Sequence, residues 1–211
     1  MNPIAILTIA FAAPLVSCVS YHEPIDNRGF ASAETPKRCS APIANLIASG
    51  SSGVQWSDAE RELYHLIMKH REDDGLPAIP LSKSLSLVAK MHVRDLETNT
   101  VAAPYNLHSW SGNGPWRSVN YTPDHRHARL MWSKPRELTK YNGNGYEIVY
   151  MNSASATPAD AFATWKTSEL HHEVLDNRNG WRRIKWQAIG VGIAGRYAVA
   201  WFGQESDPDN S

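Results

Sequence analysis

One carboxylate and three histidines are the residues of this chain whose types and positions best suit chemistry. Glu147 lies in the apolar segment GYEIVY, which predicts a buried carboxylate. Because a buried carboxylate needs hydrogen-bond donors or a cation, we expect imidazoles beside it. The candidates are His108, in the polar segment LHSWSG, and one of the adjacent His171 and His172. Two imidazoles and a carboxylate are suitable zinc ligands, and they equally form a buried hydrogen-bond network.

The adjacent pair occurs in the segment WKTSELHHEVLD, where only one histidine can face a given pocket. Neighbouring residues in a helix point about 100° apart. On an unbroken helix, His172 shares the face of Trp165, which lies seven residues earlier, and His171 points away from that face. Helical geometry taken alone therefore favours His172 as the inward side chain.

Helices are predicted on both sides of the segment that carries His108. Ser57 and Glu60 form a capping-box pattern that opens a first helix, and TPAD opens a later one at Thr157. A second helix is expected from about residue 84 to residue 97. Its apolar stripe includes His92, which we interpret as a core histidine rather than a ligand.

Strands are predicted late in the chain. EIVYM, residues 147–151, predicts a short strand or a bridging segment, and IKWQAIGVGIA and RYAVAWFG predict two further strands joined by a turn at Gly195. Helices around a small sheet of this kind predict an α+β fold or a three-layer arrangement.

The beginning of the chain predicts export. Residues 4–16 form an uncharged apolar run of 13 residues, shorter than the roughly 20 that a membrane-spanning helix needs. We therefore predict a signal peptide over residues 1–20. Within it, LVSC resembles the lipobox of bacterial lipoproteins, in which the cysteine, here Cys18, is acylated after cleavage before it. The alternative is ordinary cleavage after Ser20.

Composition limits the remaining possibilities. Residues 21–56 are rich in Pro, Ala, Ser and Gly and predict a flexible linker, followed by a folded domain over residues 57–203 and an acidic tail over 204–211. The 21 basic and 21 acidic residues balance, which argues against a nucleic-acid partner. If Cys18 is acylated or removed, Cys39 has no cysteine to pair with, so no disulfide framework supports the fold.

Six segments, taken in chain order, resemble the CAP superfamily, which includes cysteine-rich secretory proteins, antigen 5 and pathogenesis-related 1 proteins. The segments are DDGLPAIPLSKSL, LVAKMHVRDL, LHSWSG, GYEIVY, WKTSELHH and AIGVGIAGRYAVAWFG. The likeness covers residues 57–203 and is to bacterial-type members. It implies a three-layer α-β-α sandwich with a cleft and a small, mainly antiparallel sheet.

Carried over to this chain, the resemblance implies that His108, Glu147, His171 and Ser168 line the cleft. It favours the first histidine of the pair as the inward one, since relatives bend the chain just before it. Equivalent residues bind a divalent cation in several eukaryotic members, so His108 and His171 are the implied ligands of a metal such as zinc. The chain differs from the family pattern in having Glu-Leu instead of Pro-Gly between Ser168 and His171.

Together these features predict an exported or lipid-anchored binding domain of the bacterial cell envelope. Its cleft would hold a divalent metal or a small, peptide-like or lipid ligand, and acylated Cys18 would supply the membrane anchor. One alternative is a metal-dependent hydrolase that uses the same cleft, with His108 or His171 as the general base. Another is a structural protein of the envelope. The lack of a G-x-S-x-G nucleophile motif favours binding over catalysis.

Overall fold

The computed structural model of the protein describes residues 45, 46, 48 and 50–210. The predicted signal peptide, Cys18 with its predicted acylation, and Cys39 lie outside these residues. Within the described part of the chain, no helix is both long enough and apolar enough to cross a membrane.

Six α-helices and three β-strands have defined bounds among the described residues, with short 3-10 turns at Ser51–Gly53, Asn179–Trp181 and Pro208–Asn210. The helices are α1 (Asp58–Asp73), α2 (Lys83–Thr98), α3 (Ala128–Trp132), α4 (Lys134–Leu138), α5 (Pro158–Thr167) and α6 (Glu169–Asp176). The strands are β1 (Gly145–Met151), β2 (Ala188–Ala194) and β3 (Tyr197–Gly203).

The three strands form one antiparallel sheet in the order β1–β3–β2. Gly195 makes the turn between β2 and β3 with a φ of 51°, a left-handed conformation that glycine adopts without strain. Glu147 of β1, Trp201 of β3 and Gly190 of β2 are paired across the sheet, so they share one of its faces. The predicted α+β class with a small antiparallel sheet is confirmed.

Helix α2 lies against the face of the sheet that carries Glu147. A Cβ at Gly190 would lie 2.0 Å from the backbone of Leu85, and one at Gly192 would lie 2.7 Å from the backbone of Ala89. Glycine at these two positions of β2 therefore allows helix and sheet to approach closely. As a result, the inner side of α2 lies opposite the carboxylate.

The opposite face of the sheet is covered by aromatic side chains and other helices. Tyr146 of β1 contacts Trp132, Trp181 and Trp186, with ring centroids 5.1 to 5.7 Å apart. Helix α1 packs against α5 and α6, and both α3 and α5 contact β1. Helices on the two faces of the sheet make the three-layer α-β-α sandwich that the resemblance implied.

The chain bends between α5 and α6. Helix α5 begins at Pro158 after its N-cap Thr157, and it ends before Ser168, whose backbone is extended with φ −87° and ψ 117°. Helix α6 begins at the next residue and ends at Asp176, and its C-cap Asn177 is left-handed with a φ of 53°. The bend lies before His171, where the resemblance implied it, although the chain lacks Pro-Gly there.

Local hydrogen bonds fix the starts of α1 and α2. Ser57 Oγ accepts from Glu60 N at 3.2 Å, and Glu60 Oε2 accepts from Ser57 N at 2.7 Å, so the predicted capping box is present. The segment predicted as an acidic tail contacts the start of α2. There, Asp207 Oδ2 accepts hydrogen bonds from Ser82 Oγ at 2.6 Å and from Ser84 N at 2.8 Å.

Candidate functional site

The carboxylate of Glu147 is held by two histidines. His92 Nδ1 lies 2.5 Å from Glu147 Oε1, and His108 Nδ1 lies 2.8 Å from Glu147 Oε2. All three side chains are completely buried. We call these residues the Glu147 network. The structure thus brings His108 to Glu147, and His92, interpreted from the sequence as a core histidine, is the second partner of the carboxylate.

The hydrogen bonds define the charges within the Glu147 network. His92 Nε2 lies 3.0 Å from the backbone oxygen of Ser109, which can only accept, and its other nitrogen faces the carboxylate. An imidazole that donates from both nitrogens is protonated. Burial disfavours the charged imidazole, but the negative charge of Glu147, the hydrogen bonds to Glu147 and to the backbone of Ser109, and the charge of Asp95 together outweigh burial and raise the pKa of His92. Burial disfavours the charged carboxylate too, but His92 and the hydrogen bond from His108 lower the pKa of Glu147.

The elements around the Glu147 network hold both imidazole rings in place. His92 projects from α2 and stacks on Trp110, with centroids 4.3 Å apart and planes 4° from parallel. The backbone of Trp110 pairs with that of Val119 through two hydrogen bonds of 2.9 Å. The ring of His108 meets Tyr121 edge-on at 5.3 Å. The loop between α2 and α3 is thereby attached to α2 and to the sheet through one buried ion pair.

His108 has one ring nitrogen that the network does not use. Its Nε2 is buried and has no hydrogen-bond partner among the described residues. Because Nδ1 donates to Glu147, a neutral ring carries its lone pair on Nε2. Each oxygen of Glu147 is already hydrogen-bonded to one imidazole nitrogen. In this arrangement the carboxylate is bonded to two histidines, and zinc ligation by His108 and His171 stays a prediction.

The two adjacent histidines have different surroundings in α6. His171 is completely buried, whereas the side chain of His172 is 25% exposed. The bend at Ser168 separates α6 from α5, so the periodicity of a single unbroken helix does not apply to this pair. The more deeply buried histidine is the one that the resemblance favours, and its position in the cleft stays a prediction. His172 does not face solvent alone, because its Nε2 lies 2.7 Å from Asp176 Oδ2. Convergence of Ser168 and His171 with the Glu147 network stays a prediction.

An open groove lies at the C-terminal end of α2. It has a volume of about 620 Å³ and is bounded by that end of the helix, by the loop of residues 99–107 and by the turn between β2 and β3. Its apolar lining consists of Leu96, Val101, Tyr105, Leu107, Met151 and Tyr197. A cavity of about 190 Å³ shares several of these residues and is also lined by Ser109 and Trp110. The groove therefore extends toward the loop that carries His108. Trp116 packs edge-on against Trp110, with ring centroids 4.9 Å apart, and is buried.

Sequence reasoning missed a second group of ligand-type side chains. His70 of α1 lies beside His172 and Asp176 of α6. The four-residue spacing between His172 and Asp176 is a signal that the sequence contains, since it places both on one helix face. His70 lies about a hundred residues away in sequence, so only the packing of α1 on α6 could reveal it.

Residues 64–194 match the family model described as "CAP: Cysteine-rich secretory protein family". The chain therefore belongs to the cysteine-rich secretory protein (CAP) family, and the resemblance drawn from its motifs is confirmed. No curated protein is significantly similar to the chain in sequence.

Solved bacterial structures are also similar to the chain. An extracellular protein containing an SCP domain from Bacillus anthracis is 18% identical with a TM-score of 0.49, over 70% of this chain and 40% of that one. An outer surface protein from Borrelia burgdorferi is 18% identical with a TM-score of 0.48, over 72% of this chain and 97% of that one. A cysteine-rich secretory protein from Staphylococcus aureus is 17% identical with a TM-score of 0.44, over 83% of this chain and 43% of that one. The chain thus spans less than half the length of two of these proteins.

Proposed function

We propose that this protein is an exported CAP domain that binds a small ligand with an apolar part, such as a lipid chain or an apolar peptide, in the groove at the end of α2. The groove is the observation that carries the proposal. Its volume of about 620 Å³ lies within the range of roughly 300–1,000 Å³ that is usual for small-ligand sites. Its lining combines apolar side chains with the polar Asn99, Asn106 and Arg196, so it can hold a chain and orient a polar end.

Tyr105 supports a binding role because it is exposed inside the groove. It is 39% exposed. Among the described residues, Tyr105 and Leu170 are the two large hydrophobic residues that are exposed to solvent. An aromatic side chain on the wall of a concave site supplies contact area at a low entropy cost. The loop below it is ordered by hydrogen bonds from Asn106 N to Tyr121 O at 2.9 Å and from Tyr105 N to Ala102 O at 3.1 Å.

The Glu147 network favours binding over hydrolysis. Its carboxylate is completely buried and faces imidazole nitrogens with both oxygens, so it presents no base to a substrate. The hydroxyl of Ser109 accepts a hydrogen bond from Tyr121 N at 3.0 Å, and His92 contacts the backbone oxygen of that serine instead of its hydroxyl. In this proposal the network is a brace that fixes the loop flanking the groove.

A fluorescence binding titration tests the proposal. A fluorescent fatty acid and a short apolar peptide labelled with the same dye are titrated against the wild-type protein, Tyr105→Ala and Leu170→Ala. Leu170 is the matched control, because its exposed fraction is also 39% and it does not line the groove. We expect Tyr105→Ala to weaken binding about tenfold, which corresponds to ~1.4 kcal/mol, and Leu170→Ala to leave binding unchanged. Equal losses in the two variants, or no binding of either probe by the wild type, would contradict the proposal.

Export and anchoring form a separate part of the proposal. They are supported by the apolar run of residues 4–16 and by the LVSC segment that contains Cys18. If Cys18 is acylated, the mature protein should partition into a detergent phase and Cys18→Ser should release it, because several acyl chains anchor stably. A mature wild-type protein that begins at Tyr21 would show ordinary cleavage instead of acylation.

A further inference from the structure

A cluster of ligand-type side chains lies where the last turn of α1 meets α6. His70 Nε2 lies 2.9 Å from Asp176 Oδ1, and His172 Nε2 lies 2.7 Å from Asp176 Oδ2. The three residues each offer one ligand atom, and these atoms all lie within 4.8 Å of one another. Among the described residues, no other three His, Cys, Asp or Glu side chains meet that condition. We call these three residues the α1–α6 site.

The close contacts in the α1–α6 site do not have the geometry of hydrogen bonds. Both Nε2 atoms and both oxygens of Asp176 are buried and lack a hydrogen bond of acceptable angle among the described residues. A lone pair of a neutral imidazole and a carboxylate oxygen repel each other at such distances unless a cation lies between them. Atoms of this kind that converge without bonding one another indicate a place for a cation.

We propose that His70 Nε2, His172 Nε2 and Asp176 Oδ1 bind a divalent cation of the zinc type. Two imidazole nitrogens and one carboxylate oxygen form a donor set that zinc uses in proteins, with the fourth position left for water. The side chain of His172 is 25% exposed and that of His70 is 11% exposed, so an ion can enter from the surface. The site is separate from the groove and from the Glu147 network, so it does not depend on the proposed function.

Neighbouring contacts hold the ligands at the required separation. Arg71, next to His70, donates from Nη1 to the backbone oxygen of Leu175 at 2.5 Å and to Asn177 Oδ1 at 2.9 Å. Trp186 Nε1 donates to the backbone oxygen of Val174 at 3.0 Å. The C-terminal end of α6 is therefore attached both to the end of α1 and to the segment that leads into β2. A site held in this way loses little conformational freedom when an ion binds.

The nearby arginines indicate which ion the site prefers. Arg178 Nη2 lies 2.8 Å from Asp176 Oδ2 and 3.2 Å from Asp74 Oδ2, and its side chain is half exposed. It can remain on Oδ2 and orient the carboxylate while Oδ1 binds the ion. The positive charges of Arg178 and Arg71 weaken the binding of ions that are held mainly by electrostatic attraction to carboxylates. We therefore expect zinc, which bonds strongly to imidazole, to bind well and magnesium or calcium to bind poorly.

Zinc titration of the full chain, first stripped of metal with a chelator, tests this site by calorimetry and thermal unfolding. We expect one zinc ion per chain and, at zinc 100-fold above Kd, a rise in Tm of about 5–10 °C. Magnesium should give no shift. Cobalt bound in place of zinc should give the intense visible absorption of a four-coordinate nitrogen and oxygen site.

Variants locate the ion. His172→Ala and His70→Gln should each weaken zinc binding at least about 100-fold, because each removes a direct ligand. His65→Ala is the matched control on α1, since that histidine is exposed and outside the site. Glu147→Gln should leave zinc affinity unchanged, which distinguishes the α1–α6 site from the Glu147 network.

Several outcomes would overturn the assignment. One is a wild-type chain that binds no zinc, and another is tight binding that persists in both His172→Ala and His70→Gln. Loss of binding in Glu147→Gln with retention in His172→Ala would move the ion to the other site. Circular dichroism of each metal-free variant verifies that it is folded. His172→Ala is the variant least expected to disturb the core, because the side chain of His172 is partly exposed.

Discussion

The Glu147 network and the α1–α6 site use the same kinds of side chain in opposite ways. In the first, each carboxylate oxygen has one imidazole partner in hydrogen-bonding geometry, and the three side chains are completely buried. In the second, two ring nitrogens converge on one carboxylate without hydrogen-bonding it, close to the surface. Two histidines and an acidic residue therefore brace the fold in one place and suit a cation in another. The geometry of the contacts makes the difference, since both groups combine two imidazoles with one carboxylate.

Removal of the Glu147 side chain should produce the largest effect. Glu147→Ala leaves the charged His92 and the ring of His108 buried without an acceptor, so we expect a loss of about 3–5 kcal/mol in the free energy of unfolding. Urea denaturation of the two proteins measures this loss. Glu169→Ala, an exposed acidic residue of α6, is the control and should change stability little. A loss below ~1 kcal/mol for Glu147→Ala would show that the network does not brace the fold.

The pH dependence of stability should identify the ion pair within that network. The pKa of His92 is higher in the folded chain than the value of about 6.5 in the unfolded chain. The stability that results is fully present below the unfolded pKa and is lost as pH rises through the folded pKa. The lowered pKa of Glu147 contributes above its unfolded value of about 4.3 and is lost as pH falls through the folded value. The difference in unfolding free energy between wild type and Glu147→Gln, about 1–3 kcal/mol, should therefore be greatest between about pH 4.3 and 6.5. A difference that stays constant up to pH 9 would contradict a charged His92.

Asp207 offers a carboxylate that is bonded by hydroxyls instead of imidazoles. Burial works against its charged form, but hydrogen bonds from Ser82 and Ser84 lower its pKa. Asp207→Asn should cost about 1–2 kcal/mol, measured by thermal or urea unfolding. The lowered pKa contributes stability above an unfolded value of about 3.9, and this is lost as pH falls through the folded value. Since no histidine takes part, the cost should not change between pH 6 and 8, unlike the cost of Glu147→Gln.

The smallest effect is expected for His172 in metal-free protein. His172→Ala should change the free energy of unfolding by no more than about 0.5 kcal/mol, because the side chain is partly exposed and Arg178 remains beside Asp176. Chelator-treated samples of both proteins, unfolded in urea, measure this change. A loss of several kcal/mol without metal would show that His172 braces α6 as His92 and His108 brace the loop, and the contrast between the two regions would disappear.

Local signals in the sequence accounted for most of the helices and strands. The capping box of Ser57 and Glu60 and the proline after Thr157 act through the backbone of their own first turn, so neighbouring residues suffice to predict them. The apolar character around Glu147 predicted its burial, because a strand that faces a helix must be apolar whatever its partner is. Family motifs favoured His171 as the inward histidine, whereas helical periodicity alone favoured its neighbour, and the structure shows His171 buried.

Long-range packing decided which groups meet. His92 became the partner of Glu147 because Gly190 and Gly192 let α2 approach the sheet, a distance that no local pattern encodes. The α1–α6 site required the bend at Ser168 and the contact between α1 and α6, which bring together residues about a hundred positions apart. A side chain can be predicted as buried from its neighbours in sequence. Its partner depends on how distant elements pack, and therefore only the tertiary structure distinguishes a brace from a cation site.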